Sequence, residues 1–430
     1  MKIGIISRSF DQGGIERVII RLLPLFRRGA YTVVVFSELG KESNVMGGVP
    51  NHRRVVIGSG VDRQTHFRKG LEREKIDICL VEDYWRAYMP EDCNVLMELG
   101  IPYIVHIHSV FSEFFLLPET WRDKSTWYSV FAKASSVITL SKNAEYFFRL
   151  IGCNAHYIPN PVEDVPEGYE RKESKHSILW VARISPIKRP KDAISIFRKV
   201  LARFPDATLT MLGGTRSKIA KEIIREVQSD SVLTNSVRIP GFSDRIWDFY
   251  STASVFLSTS AMEGAPCTFM EAAAAGVPIV GYNLPYVEYV RGNAGFIPIE
   301  QGNVNAAADA ICKLFENDEE RAKAGAANRA TFERIKSFDQ MAAYGKLFED
   351  VRRGVRAEPP QGDEVAQLCL KTLTEHAMLG IARLKKDVNS CYDTIKRLKK
   401  GKRRKNRLIA ALAIVSVLLA ALLLSSAGWR

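Results

Sequence analysis

Short apolar runs alternate with helical stretches along the first 353 residues, and that alternation constrains the chain more than any other feature. Strand-like runs at Lys2–Ser7, Tyr31–Ser37, Arg53–Ile57, Ile76–Val81, Pro102–Ile107 and Ser136–Leu140 are separated by helix patterns at Ile15–Arg27, Asp62–Arg73, Glu91–Leu99 and Lys142–Leu150. Runs this apolar need cover on both faces, which a parallel sheet flanked by helices provides. A second series follows, with strands at Ser177–Ala182, Thr208–Leu212, Val237–Ile239 and Ser254–Ser258 and helices at Arg189–Arg203, Lys218–Gln228 and Arg245–Ser251. The expected fold class is therefore α/β, with two Rossmann-like doubly wound domains, 1–158 and 177–336. Ile158-Pro159-Asn160-Pro161-Val162 and the polar stretch to Lys175 read as the linker, 159–176, and a last helix falls over 337–353.

Ser260–Arg291 carries the densest candidate chemistry. Gly264 and Pro266 break the chain after a strand, Pro266 suits the first turn of a helix, and Gly276 reads as that helix's left-handed stop. Glu263 then falls on the loop at the strand's carboxyl end, and Glu271 about one turn inside the helix. Between them the amides of Cys267, Thr268 and Phe269 are expected free at the helix N-terminus, a setting that favours phosphate. Carboxylates repel phosphates unless they face hydroxyl groups, and a sugar nucleotide supplies both.

Other loops carry weaker signals. Gly13-Gly14 sits between a first strand and a first helix, where backbone can approach a phosphate, but G-x-G-x-x-G is absent. In Val105-His106-Ile107-His108 the two imidazoles are expected on alternate faces, or one within the sheet and one beyond it, with His106 structural. Arg183, Lys188 and Arg189 leave a strand end together; Arg189 and Lys191 are expected to face solvent. Gly213-Gly214 opens no P-loop, because G-x-x-x-x-G-K-S/T is missing. The aromatics of Phe111–Phe131 read as helix core, with Phe114–Leu117 and the cations Arg122 and Lys124 as an alternative contact for a bilayer.

Glu263 and Glu271, with seven residues between them and followed by an Ala-rich helix, Gly276 and Pro278, resemble the E-x7-E signature of retaining glycosyltransferases of family 4. The resemblance covers about residues 1–353 and implies a GT-B arrangement, two lobes facing a cleft. It implies Glu263 near the donor sugar's hydroxyls and Glu271 on the ribose, with Cys267 and Thr268 at the phosphates. GGIERV, with Gly13 and Gly14, is similar to the family's donor-facing loop, and Ile239–Phe242 to its nucleobase-side loop. His108 is similar to the histidine between donor sugar and acceptor. Arg183 and Lys188 match the cations that neutralise the departing diphosphate, and both are expected to face solvent in the cleft. The implied catalytic set is Glu263, His108, Arg183 and Lys188, and the 337–353 helix resembles one that crosses back onto the first lobe. The implied reaction is retaining transfer of a sugar from a nucleotide-diphosphate donor to a glycan or lipid-linked acceptor. No D-x-D falls at a strand end, so neither metal nor another cofactor is expected. A GT-B epimerase or a catalytically silent sugar-nucleotide scaffold are the alternatives.

The net charge of +13 is concentrated at one place. Lys396–Arg407 holds nine Lys/Arg and no acid, so the remainder carries +4, and a nucleic-acid partner is not expected. Seven scattered cysteines, none in C-x-x-C spacing, suit a reducing compartment. No signal peptide is expected, since a strand begins at Lys2. Leu408–Ala427 has no charged residue and 20 residues, enough at about 1.5 Å each to cross a hydrocarbon core of about 30 Å. With the basic run before it, the expectation is a single C-terminal membrane anchor over 408–427, a helical, basic stalk over 354–407, and a cytoplasmic catalytic part.

Overall fold

The computed structural model describes residues 1–7, 14–38, 53–58, 60, 62–82, 88–113, 130–358, 365–373 and 388–394. Gly13, Phe114–Leu117, the basic run and Leu408–Ala427 lie outside the described residues. Among the described residues no helix is long and apolar enough to cross a membrane. Met1–Phe111 and Ser125–Cys369 form one compact unit that holds both sheets. Of the second unit, Ser112–Lys124 and Leu370–Arg430, the described part includes an exposed helical stretch over 388–394.

The first sheet is parallel, in the order β3-β2-β1-β4-β5-β6-β7. Its strands are β1 (Lys2–Ser7), β2 (Thr32–Ser37), β3 (Arg53–Val56), β4 (Ile78–Val81), β5 (Tyr103–Ile107), β6 (Ser136–Thr139) and β7 (Ala155–Tyr157). Every residue of β4, β5 and β6 is buried, as strands covered on both faces require. Helices α1 (Gly14–Arg28), α2 (Arg63–Glu74), α3 (Met89–Glu98) and α4 (Lys142–Leu150) connect them. Three residues were too short a run for β7 to register as a strand in the sequence.

The second sheet is also parallel, in the order β10-β9-β8-β11-β12-β13. It comprises β8 (Ser177–Val181), β9 (Thr208–Leu212), β10 (Val237–Gly241), β11 (Val255–Ser258), β12 (Ile279–Tyr282) and β13 (Phe296–Ile299). Around it lie α5 (Pro190–Arg203), α6 (Lys218–Ser229), α7 (Ser231–Ser236), α8 (Ile246–Thr252), α9 (Cys267–Ala274), α10 (Val304–Glu316) and α11 (Asp318–Lys336). Gly276 closes α9 at φ +66°, the left-handed geometry that a side chain would strain.

Helix α12 (Gln340–Arg353), which follows the second lobe in the chain, belongs by packing to the first. Tyr344, Leu347, Phe348 and Val351 complete the core formed by Ile3, Ile5, Leu22 and Phe26. Phe26 meets Tyr344 and Phe348 edge-on at 5.0 and 5.6 Å, and Tyr31 meets Phe348 at 5.5 Å.

His156 on β7 feels the charges of Lys346 and Asp350 on this helix. Burial, helped by the Arg149 and Lys346 charges and opposed by Asp350, holds its imidazole down at about 4, against an ordinary 6.5. The folded state therefore refuses a proton that the unfolded chain accepts. Stability from this group is complete above about pH 6.5 and is lost as pH falls towards 4. Denaturant melts at pH 7.5 and pH 5 should show that loss, and His156→Gln should flatten it. An unchanged pH slope in the variant would remove His156 from the account.

Candidate active site

In open parallel sheets ligands gather at the carboxyl ends of strands where the strand order reverses. Those reversals fall between β1 and β4 in the first sheet and between β8 and β11 in the second. Gly14 follows β1, Glu82 follows β4, the 183–189 turn follows β8 and the Glu263 loop follows β11.

In the second lobe the two switch-point loops are tied together. Thr259 Oγ1 donates to the Lys188 carbonyl at 2.8 Å, and the Ala261 amide to the Ile187 carbonyl at 2.8 Å. This places Lys188 Nζ 2.5 Å from Glu263 Oε1, with the side chains only 17% and 14% exposed. Lys188 was expected to face open cleft; instead it is a half-buried partner of the loop carboxylate. Arg183 is exposed at the start of the same turn. Arg189 does not simply face solvent as expected: it pairs with Asp192 at 2.9 Å and lies over the Tyr282 ring. It also takes a left-handed backbone, φ +46°, a strained conformation for a residue with a Cβ. Lys191 pairs with Glu222 at 3.1 Å and is largely exposed.

At α9 the expected phosphate cradle is smaller than the sequence suggests. The Phe269 amide donates to the Pro266 carbonyl at 3.1 Å, so the helix entrance retains the Cys267 and Thr268 amides. Burial pushes the Cys267 thiol up, and Cys267 lines a cavity with Arg21, Asn160, Pro161, Met270 and Glu288, on the linker side of the helix.

Glu271 is not an open carboxylate. It is 3% exposed; Arg17 Nη1 of α1 donates to its Oε1 at 2.6 Å, and Tyr250 Oη to its Oε2 at 3.1 Å. The pair joins the lobes, alongside the Lys142 amide with Glu288 at 2.7 Å, while Arg21 ties the first lobe to the linker through Glu163 at 3.0 Å. A ribose hydroxyl reaching Glu271 would meet a buried carboxylate already bonded on both oxygens. Arg17 stands inside GGIERV, where the sequence reading attended to the glycines alone.

His108 lies just beyond β5 and His106 within it, so the second of the two sequence options holds; the rings lie 4.1 Å apart and face one carboxylate. Glu82 Oε2 accepts from His108 Nε2 at 2.5 Å and lies 3.1 Å from His106 Nδ1. Burial alone would raise the Glu82 carboxyl, but the neighbouring His106 and hydrogen bonds from both rings hold it down at about 2. Sequence reading missed Glu82, although an acid directly after the apolar ICLV strand was the available signal. Gly264 brings the lobes into register here: a Cβ on it would run into the His108 carbonyl and the Ser109 Cα.

Fold and site together define a two-lobed α/β protein whose two sheet switch points meet at one place. Residues 12–164 match the family described as Glycosyltransferase Family 4, and residues 162–331 match the one described as Glycosyl transferases group 1. It is similar to a poly(glycerol-phosphate) alpha-glucosyltransferase of Bacillus subtilis, 29% identical over 38% of this chain and 24% of that protein. It is also similar to an N-acetyl-alpha-D-glucosaminyl L-malate synthase of Bacillus anthracis, 22% identical over 46% of this chain and 51% of that one. The chain thus spans a quarter to a half of these relatives' lengths. Its fold matches that of Anabaena Alr3699/HepE, solved with UDP-glucose, at a TM-score of 0.66 and 18% identity over 82% of this chain and all of that one.

Proposed function

We propose that this protein transfers a sugar from a nucleoside-diphosphate sugar to an acceptor hydroxyl with retention of anomeric configuration. The observation that carries the reading is the Lys188–Glu263 pair at the second sheet's switch point, beside exposed Arg183 and the entrance of α9. A diphosphate arriving there meets Arg183, Lys188 and the amides of Cys267 and Thr268. As Lys188 turns to the phosphates, Glu263 is released to accept from the transferred sugar's hydroxyls. The charge that grows on the leaving diphosphate falls between fixed cations, so no metal is called for. Ribose hydroxyls exchange with Arg17 on Glu271, and His108 stands at the lobe junction between sugar and acceptor.

The acceptor we propose is a glycan or lipid-linked precursor at the cytoplasmic membrane face. Leu408–Ala427 would anchor the chain, and Lys396–Arg407 would hold anionic lipid at about 1 kcal/mol per charge near the surface.

Calorimetric titration with UDP-, GDP-, ADP- and dTDP-sugars, followed by single-turnover rates with the donor that binds, tests this reading. Glu271→Ala should weaken the bare nucleoside diphosphate as much as its sugar conjugate. Glu263→Gln should leave the bare nucleotide near normal and depress turnover, since only contacts that strengthen in the transition state raise the rate. Binding with no turnover under any acceptor would favour a silent scaffold, and turnover without an acceptor an epimerase.

A further inference from the structure

Resting on the transfer reading, we propose that Thr259 is a positioning residue for Lys188: its hydroxyl links the buried Trp180 indole to the Lys188 carbonyl and so fixes the backbone from which the Lys188 ammonium meets the diphosphate.

Elementary chemistry sets the direction of both bonds. An indole N–H only donates and a backbone carbonyl only accepts, so a group between them must accept on one side and donate on the other. Thr259 Oγ1 lies 3.0 Å from Trp180 Nε1 and 2.8 Å from the Lys188 carbonyl oxygen. A hydroxyl meets both demands at one atom, and a valine of the same shape meets neither. Trp180 on β8 and Thr259, directly after β11, are both buried, so bulk water is not at hand to replace the hydroxyl.

Thr259 grips a peptide under strain. Pro186–Lys188 form a single 3-10 turn, closed by the Lys188 amide on the Ser185 carbonyl at 3.0 Å. The next residue, Arg189, takes its left-handed backbone at φ +46° while its amide donates to the Pro186 carbonyl at 3.1 Å. The Lys188–Arg189 peptide is thus held at both ends, by the turn at its N–H and by Thr259 at its carbonyl. Relief of the strain at Arg189 requires this peptide to turn, and both bonds oppose that. The loop beyond Thr259 is fixed as well. Its Ala261 amide donates to the Ile187 carbonyl at 2.8 Å, and Gln301 Nε2, just after β13, donates to the Ala261 carbonyl at 2.9 Å. Lys188 and Glu263, 75 residues apart in sequence, therefore project from one bonded frame.

Buried as it is, Thr259 acts only through the backbone that it holds. From that fixed backbone the Lys188 ammonium can pass between Glu263 and an arriving phosphate. A cation that stabilises a growing negative charge is most effective when its place is set beforehand, and a misplacement of about 1 Å costs about 100-fold in rate.

With the donor that binds from the panel above, Thr259→Val should lower kcat about 100-fold and leave the donor KM within about fivefold. Thr259→Ser, which keeps the hydroxyl, should stay within about threefold of the wild-type kcat. Combined with Lys188→Ala, Thr259→Val should cost no more than Lys188→Ala alone. Acetic anhydride labelling of the full chain, read at Lys188 by mass spectrometry, follows the placement itself. Lys188 should acetylate faster in Thr259→Val than in the wild type, and at the wild-type rate in Thr259→Ser. If Thr259→Val fails to fold, Thr259→Ala, which loses the same two bonds, should give the same slow turnover and fast labelling. A kcat within about twofold of wild type in the variant lacking the hydroxyl, a Thr259→Ser as slow as that variant, or an unchanged rate of Lys188 labelling overturns the proposal. If the wild-type chain turns over no sugar nucleotide, the transfer reading falls, and the labelling alone decides whether Thr259 holds Lys188 in place.

Discussion

Lys188→Ala is expected to slow sugar transfer by about 2–4 kcal/mol of transition-state stabilisation, the scale for loss of one preorganised donor to a developing charge. The structure adds a second consequence. Lys188 is the 2.5 Å partner of Glu263, and both side chains are mostly withdrawn from solvent. Removing the lysine leaves a half-buried carboxylate alone, which should also lower stability by about 1–3 kcal/mol. The two effects separate in a double variant. Lys188→Met with Glu263→Gln should recover most of the stability, because no charge is stranded, and none of the turnover. Single-turnover rates and denaturant melts on the three variants make the comparison. Near-wild-type turnover in Lys188→Ala would remove the diphosphate assignment.

Phe348→Ala should produce the largest loss of stability, about 3–5 kcal/mol, the usual cost of emptying an aromatic site that cannot collapse. Phe348 is almost fully buried and meets Phe26, Tyr31 and Tyr344 in one ring cluster between α12 and α1. Leu150→Ala on the surface of α4 serves as the control. That side chain is more than half exposed, and its loss should change stability by no more than about 0.5 kcal/mol. Equal midpoints for the two variants in urea would mean that α12 is not part of the first lobe's core.

The sheets were legible because their strands announce themselves: ICLV, YIVHI and VFLS are runs that water cannot be allowed to touch. Gly276 was legible for a similar reason, since a left-handed helix stop leaves a local mark. Pairings across sequence left none. Nothing in the spelling of GGIERV says that Arg17 will meet Glu271, 254 residues away, or that Tyr250 will take the other oxygen. The exposure expected for Lys188 failed on the same ground, because it was read from residue type while Glu263 lay 75 residues off. The Phe269 amide was a local error of another kind: the Pro266 carbonyl turns back to cap it, a detail of backbone angle beyond the reach of residue pattern.

The place of α12 bears on how the chain comes to be folded. The first lobe is made first, yet four side chains of its core belong to the helix made after the whole second lobe. At about 5–20 residues per second, a nascent first lobe waits many seconds with the cleft for Phe348 and Tyr344 open to water. The second lobe carries its own core and meets no such delay. Synthesis therefore runs against the order of completion: the later lobe closes first, and the earlier one is sealed by a helix that emerges only after it.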